Sequence, residues 1–310
     1  MPARRLHLQY LSNDELTAIE QTSYRLLDEV GISLQHAGAT EMLRGLGCRV
    51  QNGRVFIPPD TVRWGVDHVT PQTTLYSLDG RYSVPLGDGA LRFHNGGGPP
   101  FILNSETGER APATSEDLAT MTRLLDALPN VDEITTLFSP QEVPAELMGV
   151  ISTSVLLRNT SKPVAGAAAE NPRDAKNIIE MAAACAGGAE ALRRRPCLTL
   201  AVSPFSDMAS TEKVTAAIMV IAEAGIPFHS LPAPSLGATG PITMAGCLAQ
   251  QHAEVLASFV IAGAARPGTP VMYCSRINPL DLRRAVSSWG GPEVGIASAA
   301  ATQLAHRLGF

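Results

Sequence analysis

Cys197-Leu-Thr-Leu-Ala-Val202, Thr211-Glu-Lys-Val-Thr-Ala-Ala-Ile-Met-Val-Ile-Ala-Glu-Ala-Gly225 and Ile226-Pro-Phe-His-Ser-Leu231 follow one another and decide the fold. The first run is short and apolar, as in a buried strand. The second opens on a threonine cap, repeats apolar residues at helical spacing and stops at glycine. The third is again short and is entered through proline. Strand, helix, strand in this order predicts two parallel strands joined by a right-handed crossover.

The same texture extends in both directions. Strands are expected at residues 133–138, 163–168, 197–202, 227–231 and 270–274. Helices are expected at 145–158, 172–192, 211–224, 242–265 and 292–308. Links such as Gly225-Ile-Pro227 and Arg266-Pro-Gly-Thr-Pro270 lead from helix to strand. The reading is α/β with a parallel sheet, a (β/α) TIM-type barrel. It is incomplete, with about five of the roughly eight units that a closed barrel needs. No G-x-G-x-x-G follows a strand to open a helix, which argues against a dinucleotide fold.

Upstream, Ser12-Asn-Asp-Glu15 is a capping box for a helix running toward Val30, ended by Gly31. A second helix is expected at 37–46. Asn52-Gly53 between apolar residues reads as a hairpin turn, and Pro58-Pro59 starts a helix to His68. Residues 73–104 alternate β-prone runs with Gly and Asp turns. Thr114-x-x-Asp117 caps a helix with Leu118, Met121, Leu124, Leu125 and Leu128 on one face. Residues 1–113 therefore read as a helical and β-hairpin N-terminal subdomain, and 114–310 as the partial barrel.

Composition excludes several classes. Hydrophobic residues make up 45% and charged residues 17%, enough for a sizeable core. A net charge of −5 gives nucleic acid no basic surface. The run Arg193-Arg-Arg195 suits the negative end of a helix. The five cysteines are isolated, so neither a zinc knuckle nor a disulfide framework is indicated, and the odd number suits a reducing cytoplasm. The N-terminus lacks the apolar run of a signal peptide, and the apolar stretch at 255–265 is too short to span a membrane. The histidines show no H-x-x-x-H or H-E-x-x-H spacing, so no metal is expected. His229, inside a strand, reads as a satisfied core histidine.

The chain resembles the trimethylamine methyltransferase family along nearly its whole length, matching the N-terminal two-thirds of such proteins. The residues that carry the likeness include Leu26-Leu-Asp-Glu-Val-Gly-Ile32, Val55-Phe-Ile-Pro-Pro59 and Asn95-Gly-Gly-Gly-Pro99. They continue through Thr107-Gly-Glu-Arg-Ala-Pro-Ala-Thr114, Leu125-Asp-Ala-Leu-Pro-Asn130 and Asn159-Thr-Ser-Lys-Pro163. The most specific stretch is Gly237-Ala-Thr-Gly-Pro-Ile-Thr-Met-Ala-Gly246, with Gln250 and Ala253-Glu-Val-Leu256. The resemblance implies a barrel enzyme that moves a methyl group from a methylated amine to a corrinoid protein. The amine could be trimethylamine, glycine betaine or a related quaternary amine. The corrinoid would come from the partner, with no cofactor bound directly by this chain. It also implies that last barrel units, and any pyrrolysine position, would lie beyond Phe310. A homo-oligomer is compatible with the sequence.

Barrel enzymes work from the C-terminal ends of their strands. That rule selects Phe138, Glu142, Glu170, Ser203, Phe205, Ser206, Gly237, Ala238, Thr239, Ser275 and Arg276 for the substrate. Asn95, Gly96, Gly97 and Gly98 are candidates to face the corrinoid, because glycine admits close approach. Structural roles compete. Glu142 and Glu170 could complement helix N-termini, Phe138 and Phe205 could be core, and Ser206 could cap a helix. Arg276 could clamp a carboxylate or sit in a surface ion pair. Gly237-Ala-Thr-Gly-Pro241, which precedes a helix, could bind a carboxylate or phosphate through free N–H groups or simply turn, and the glycine patch could be a sharp turn. Two other functions compete with methyl transfer: a truncated, noncatalytic half-barrel acting as a binding or complementing module, and a Schiff-base lyase. Against the lyase, none of Lys162, Lys176 and Lys213 lies at a strand's C-terminal end.

Overall fold

Five strands run parallel in the order Val69–Thr70, Thr269–Tyr273, Phe228–Ser230, Leu198–Val202, Val164–Ala168. The computed structural model describes residues 9–104, 106–203 and 207–310. Beyond Val164–Ala168, parallel bridges Ile134 to Val164 and His94 to Glu133 carry the sheet two positions further. From His94 to Tyr273 each strand lies beside the next one in sequence. The order never reverses, as it would in a doubly wound sheet. The protein is thus α/β with a parallel sheet.

The expected strand at 133–138 shrinks to its first two residues. Beyond Ile134 the backbone bonds instead to the glycine segment beside it, where Gly98 donates to the Leu137 carbonyl and Ser139 donates to that of Pro99. The expected helix 172–192 breaks into Pro172–Ala186 and Ala189–Arg194. Gly187 and Gly188 between them have φ of 86° and 127°, which no helix accommodates. The first helix, Asn13–Arg25, keeps its Ser12–Glu15 capping box and ends in a π-turn over Leu26–Val30.

Val69–Thr70, from the N-terminal region, pairs with Thr269 and Pro270, a contact that periodicity does not reveal. A second link is the parallel pairing of Ile32–Leu34 with Ala209–Ser210. Residues before and after 113 therefore share sheets.

The helix Met244–Ala265 is apolar around most of its circumference, and 17 of its residues are buried. It packs on the helices Asn13–Arg25, Pro59–Asp67 and Glu212–Ala224. Small residues allow this. A Cβ on Gly65 would lie 2.5 Å from the Val260 side chain, and one on Gly263 would lie 3.1 Å from that of His68. The main core runs between the sheet's outer face and these helices, with Phe228, Phe259 and Ile178 fully buried. Each such side chain contributes about 1.5–3 kcal/mol through burial. A smaller cluster joins Leu16, Ile19, Leu248 and Leu304. Among the described residues no helix is long and apolar enough to cross a membrane.

Candidate functional site

Successive strand residues face opposite sides of a sheet. Leu198, Leu200 and Val202 point to the helices, as do Val164, Ala167 and Phe228. Their neighbours Gly166, Ala168, Ala201, His229 and Cys274 line a cavity of about 580 Å³ at the strands' C-terminal ends. The inner face therefore carries small residues with two polar ones, His229 and Cys274, while the outer face is apolar. A second cavity, of about 310 Å³, lies by Met272, Tyr273, Ala301, Ala305 and Phe310. Its ionisable groups are limited to Tyr273 and His306, so the chemistry belongs to the larger one.

Eight of the residues selected from sequence come together around that cavity. Glu170, Ser203, Ser275 and Arg276 line it from the loops after three strands, and Asn95, Gly96, Gly97 and Gly98 form another wall. Glu170 immediately precedes Asn171, whose side chain accepts from the N–H groups of Arg173 and Asp174. Asn171 thus caps the helix and leaves Glu170 on the cavity wall. The Ser275 hydroxyl is buried without a hydrogen-bond partner among the described residues. Arg276 is exposed and its guanidinium lies 5.3 Å from the Trp289 ring centroid. Among the described residues it forms no ion pair.

Other selected residues lie elsewhere. The Glu142 carboxylate accepts the Ser115 N–H at 2.7 Å, at the start of the helix Ser115–Ala127. That hydrogen bonding holds its carboxyl below the usual range. Phe138 is half-buried and off the cavity wall, because the strand has already ended and Ser139 takes the lining position. Gly237, Ala238 and Thr239 form a closed turn. Gly237 donates to Gly240, Ala238 and Gly240 donate to Ser235, and Ser235 donates to the Thr239 hydroxyl. The Gly237, Ala238 and Gly240 amides are thereby spent, and no anion cradle forms. Phe205 and Ser206 lie outside the described residues.

The glycine wall is fastened by two side chains: the Ser139 hydroxyl donates to the Gly98 carbonyl at 3.2 Å, and Asn95 grips the backbone of Thr135. Asn95 Oδ1 accepts the Thr135 N–H at 3.0 Å, and its Nδ2 donates to the Thr135 carbonyl at 2.9 Å. Gly97 lies against the next peptide, where a Cβ would come 2.2 Å from the Thr136 oxygen. At Gly96 and Gly98 a Cβ would meet nothing within 4 Å, so the rim there is low.

His94, Thr199, His229 and Cys274 were not selected from sequence. Thr199 Oγ1 accepts the Gly166 N–H at 2.7 Å and sits 2.9 Å from His229 Nε2. His229 Nδ1 lies 3.6 Å from Cys274 Sγ, which donates to the Met272 carbonyl at 3.7 Å. Gly166 makes this possible. Its φ of +61° bulges the strand, and the register with Leu198–Val202 shifts between Leu198 and Leu200. Burial lowers the His229 imidazole to about 4, helped by nearby His94. Burial also pushes the Cys274 thiol up to about 12, so it stays protonated at neutral pH. Strand parity was the available signal for His229, since it alternates with buried Phe228. Among the described residues no group of three or more His, Cys, Asp or Glu could hold a metal ion.

A parallel α/β sheet with a cavity at its C-terminal ends, small-walled and bearing a few polar groups, defines a class of ligand-binding and catalytic proteins. The particular family follows from comparison. The family model for trimethylamine methyltransferase (MTTB) matches residues 2–310, and the chain belongs to this family. It is 30% identical to trimethylamine methyltransferase MttB of Desulfitobacterium hafniense strain DSM 10664 / DCB-2, over 95% of this chain and 60% of that protein. It is 29% identical to glycine betaine methyltransferase of Desulfitobacterium hafniense strain Y51, over 96% of this chain and 62% of that protein. The chain thus spans about 60% of the length of these curated relatives. Among solved structures, the hydroxylamine MtmB complex superposes with a TM-score of 0.62 at 13% identity, over 96% of this chain and 60% of that one. Monomethylamine methyltransferase (MtmB) of Methanosarcina barkeri gives 0.56 at 14% identity, over 94% and 64%. These two likenesses concern the fold.

Proposed function

We propose that the chain forms the amine-binding part of a methyltransferase that moves a methyl group from a methylated amine to a corrinoid held by a partner protein. On this reading its sheet is the larger part of a TIM-type barrel. The observation that carries the proposal is the pair of opposite charges, Glu170 and Arg276, on the walls of the cavity at the strands' C-terminal ends, whose other lining residues are uncharged side chains and two histidines. A quaternary ammonium leaves as a neutral amine, so transfer needs no proton from the protein. The protein must hold the cation, exclude water and aim one methyl group.

Glu170 attracts the ammonium. Arg276 is placed to hold a carboxylate carried by the same molecule, as in a betaine. Met148, Ala168, Ala201 and Leu231 offer apolar wall to methyl groups. The low rim at Gly96 and Gly98 fits the approach of a flat ring, and the Asn95 clamp keeps that rim in place. When bound, the corrinoid supplies the methyl-accepting nucleophile.

Calorimetric titration with tetramethylammonium, trimethylamine and glycine betaine, followed by methyl transfer to reduced cobalamin, tests the reading. Arg276→Gln should weaken glycine betaine binding about tenfold or more and leave tetramethylammonium within about twofold, because the charge-assisted bond is made only to the carboxylate. Equal loss for both ligands would refute the assignment of Arg276.

A further inference from the structure

We propose that His229 is a specificity-determining residue that offers methylated cations an uncharged ring face and takes no part in proton transfer. The inference rests on the amine reading of the cavity. The hydrogen-bond direction follows from the donors. Thr199 Oγ1 already accepts from Gly166, and the acceptor within reach of its own proton is His229 Nε2. A neutral ring then carries its proton on Nδ1, aimed at Cys274 Sγ, whose own proton goes to the Met272 carbonyl. Each donor in the series has an acceptor. A proton added at Nε2 would oppose the Thr199 hydroxyl and reverse the series.

Both ring nitrogens are therefore engaged within the protein. What His229 can present to the cavity is its carbon edge and π face, which can neither give nor take a proton. No Phe, Tyr or Trp lines the cavity among the described residues, so the imidazoles of His94 and His229 are its π surfaces. An ammonium bearing only methyl groups makes no conventional hydrogen bond and is attracted to such faces. A charged imidazolium would repel it. The other ionisable groups around the cavity are His94 in the glycine wall, Glu170 after Val164–Ala168, Cys274, and Arg276 just beyond it. Burial keeps His229 neutral far below neutral pH, which preserves the ring as a cation-receiving face.

Two measurements test this. In the first, the 15N shifts of the His229 ring should report a neutral Nδ1–H tautomer from about pH 8 to about pH 6. Thr199→Val should mix the two tautomers, and Thr199→Ser should restore one. A charged ring, an Nε2–H tautomer, or no response to Thr199→Val would overturn the proposal whatever the substrate. In the second, tetramethylammonium binding is titrated. His229→Phe should keep the wild-type affinity within about twofold, and His229→Leu should weaken it about two- to fivefold. Undiminished binding by His229→Leu overturns the role of His229 alone. A wild-type chain that binds no tetramethylammonium overturns the amine reading and this proposal together.

Discussion

Asn95 holds the backbone of Thr135 from both sides, its Oδ1 on the N–H at 3.0 Å and its Nδ2 on the carbonyl at 2.9 Å. The side chain imitates a paired strand exactly where the regular sheet stops. Asn95→Ala leaves both backbone groups unpaired, and we expect a loss of about 1–3 kcal/mol. Denaturant unfolding gives the total, and hydrogen exchange at the Thr135 amide should accelerate. Unchanged exchange would show that the clamp is not what holds the wall.

Two adjacent glycines separate space from flexibility. Gly97→Ala places a methyl 2.2 Å from the Thr136 oxygen and forces the backbone apart, whereas Gly96→Ala meets nothing within 4 Å. Gly97→Ala should cost on the order of 1–3 kcal/mol and lower the Tm, while Gly96→Ala stays near wild type. Equal Tm values in the two variants would contradict the close approach.

Glu254 is buried on the helix Met244–Ala265. Its Oε1 accepts from Met208 N–H at 3.1 Å and from Gln250 Nε2 at 2.9 Å, while Oε2 has no partner among the described residues. Burial, with a smaller push from Asp207, raises its carboxyl from 4.5 to about 8. Below the unfolded value the group is neutral in both states. Between 4.5 and about 8 the unfolded chain releases a proton that the folded chain keeps, so stability falls as pH rises. Glu254→Gln should flatten that slope and gain on the order of a few kcal/mol near pH 8. An unaltered slope in denaturant titrations across this range would refute the assignment.

The carboxylates after the strands should separate by function. Glu142→Gln removes a charge-assisted bond to Ser115 and should cost up to about 1 kcal/mol through the helix N-terminus, with ligand affinity unchanged. Glu170→Gln should leave stability alone and weaken tetramethylammonium binding about three- to tenfold, in line with a partly screened charge pair. The reverse pattern in calorimetry and thermal melts would exchange their roles.

The sequence alone determined the alternation of strands and helices. Apolar runs bounded by Gly and Pro encode them locally, and the caps at Ser12, Thr114, Asn171, Thr211 and Thr243 lie within three residues of the amides they hold. It also placed eight residues on the cavity wall, because a parallel βα unit puts its next loop at the strand's C-terminal end whatever its neighbours. The side on which each residue falls was less legible. Losing strand regularity at Ile134 put Ser139 in place of Phe138, and local hydrogen bonds used up the amides of the Gly237–Gly240 turn.

What only the tertiary structure decided are contacts distant in sequence. Val69–Thr70 joins Thr269–Tyr273 across about two hundred residues, and the Thr199, His229 and Cys274 side chains meet across three strands. Neither leaves a local pattern. A two-residue strand is too short for periodicity, and strand parity sets His229 opposite Phe228 without showing which side chains of the neighbouring strands it meets. Pairing supplies the missing hydrogen bonds and the curvature of the sheet sets which side is inside, so both appear only when the strands are side by side.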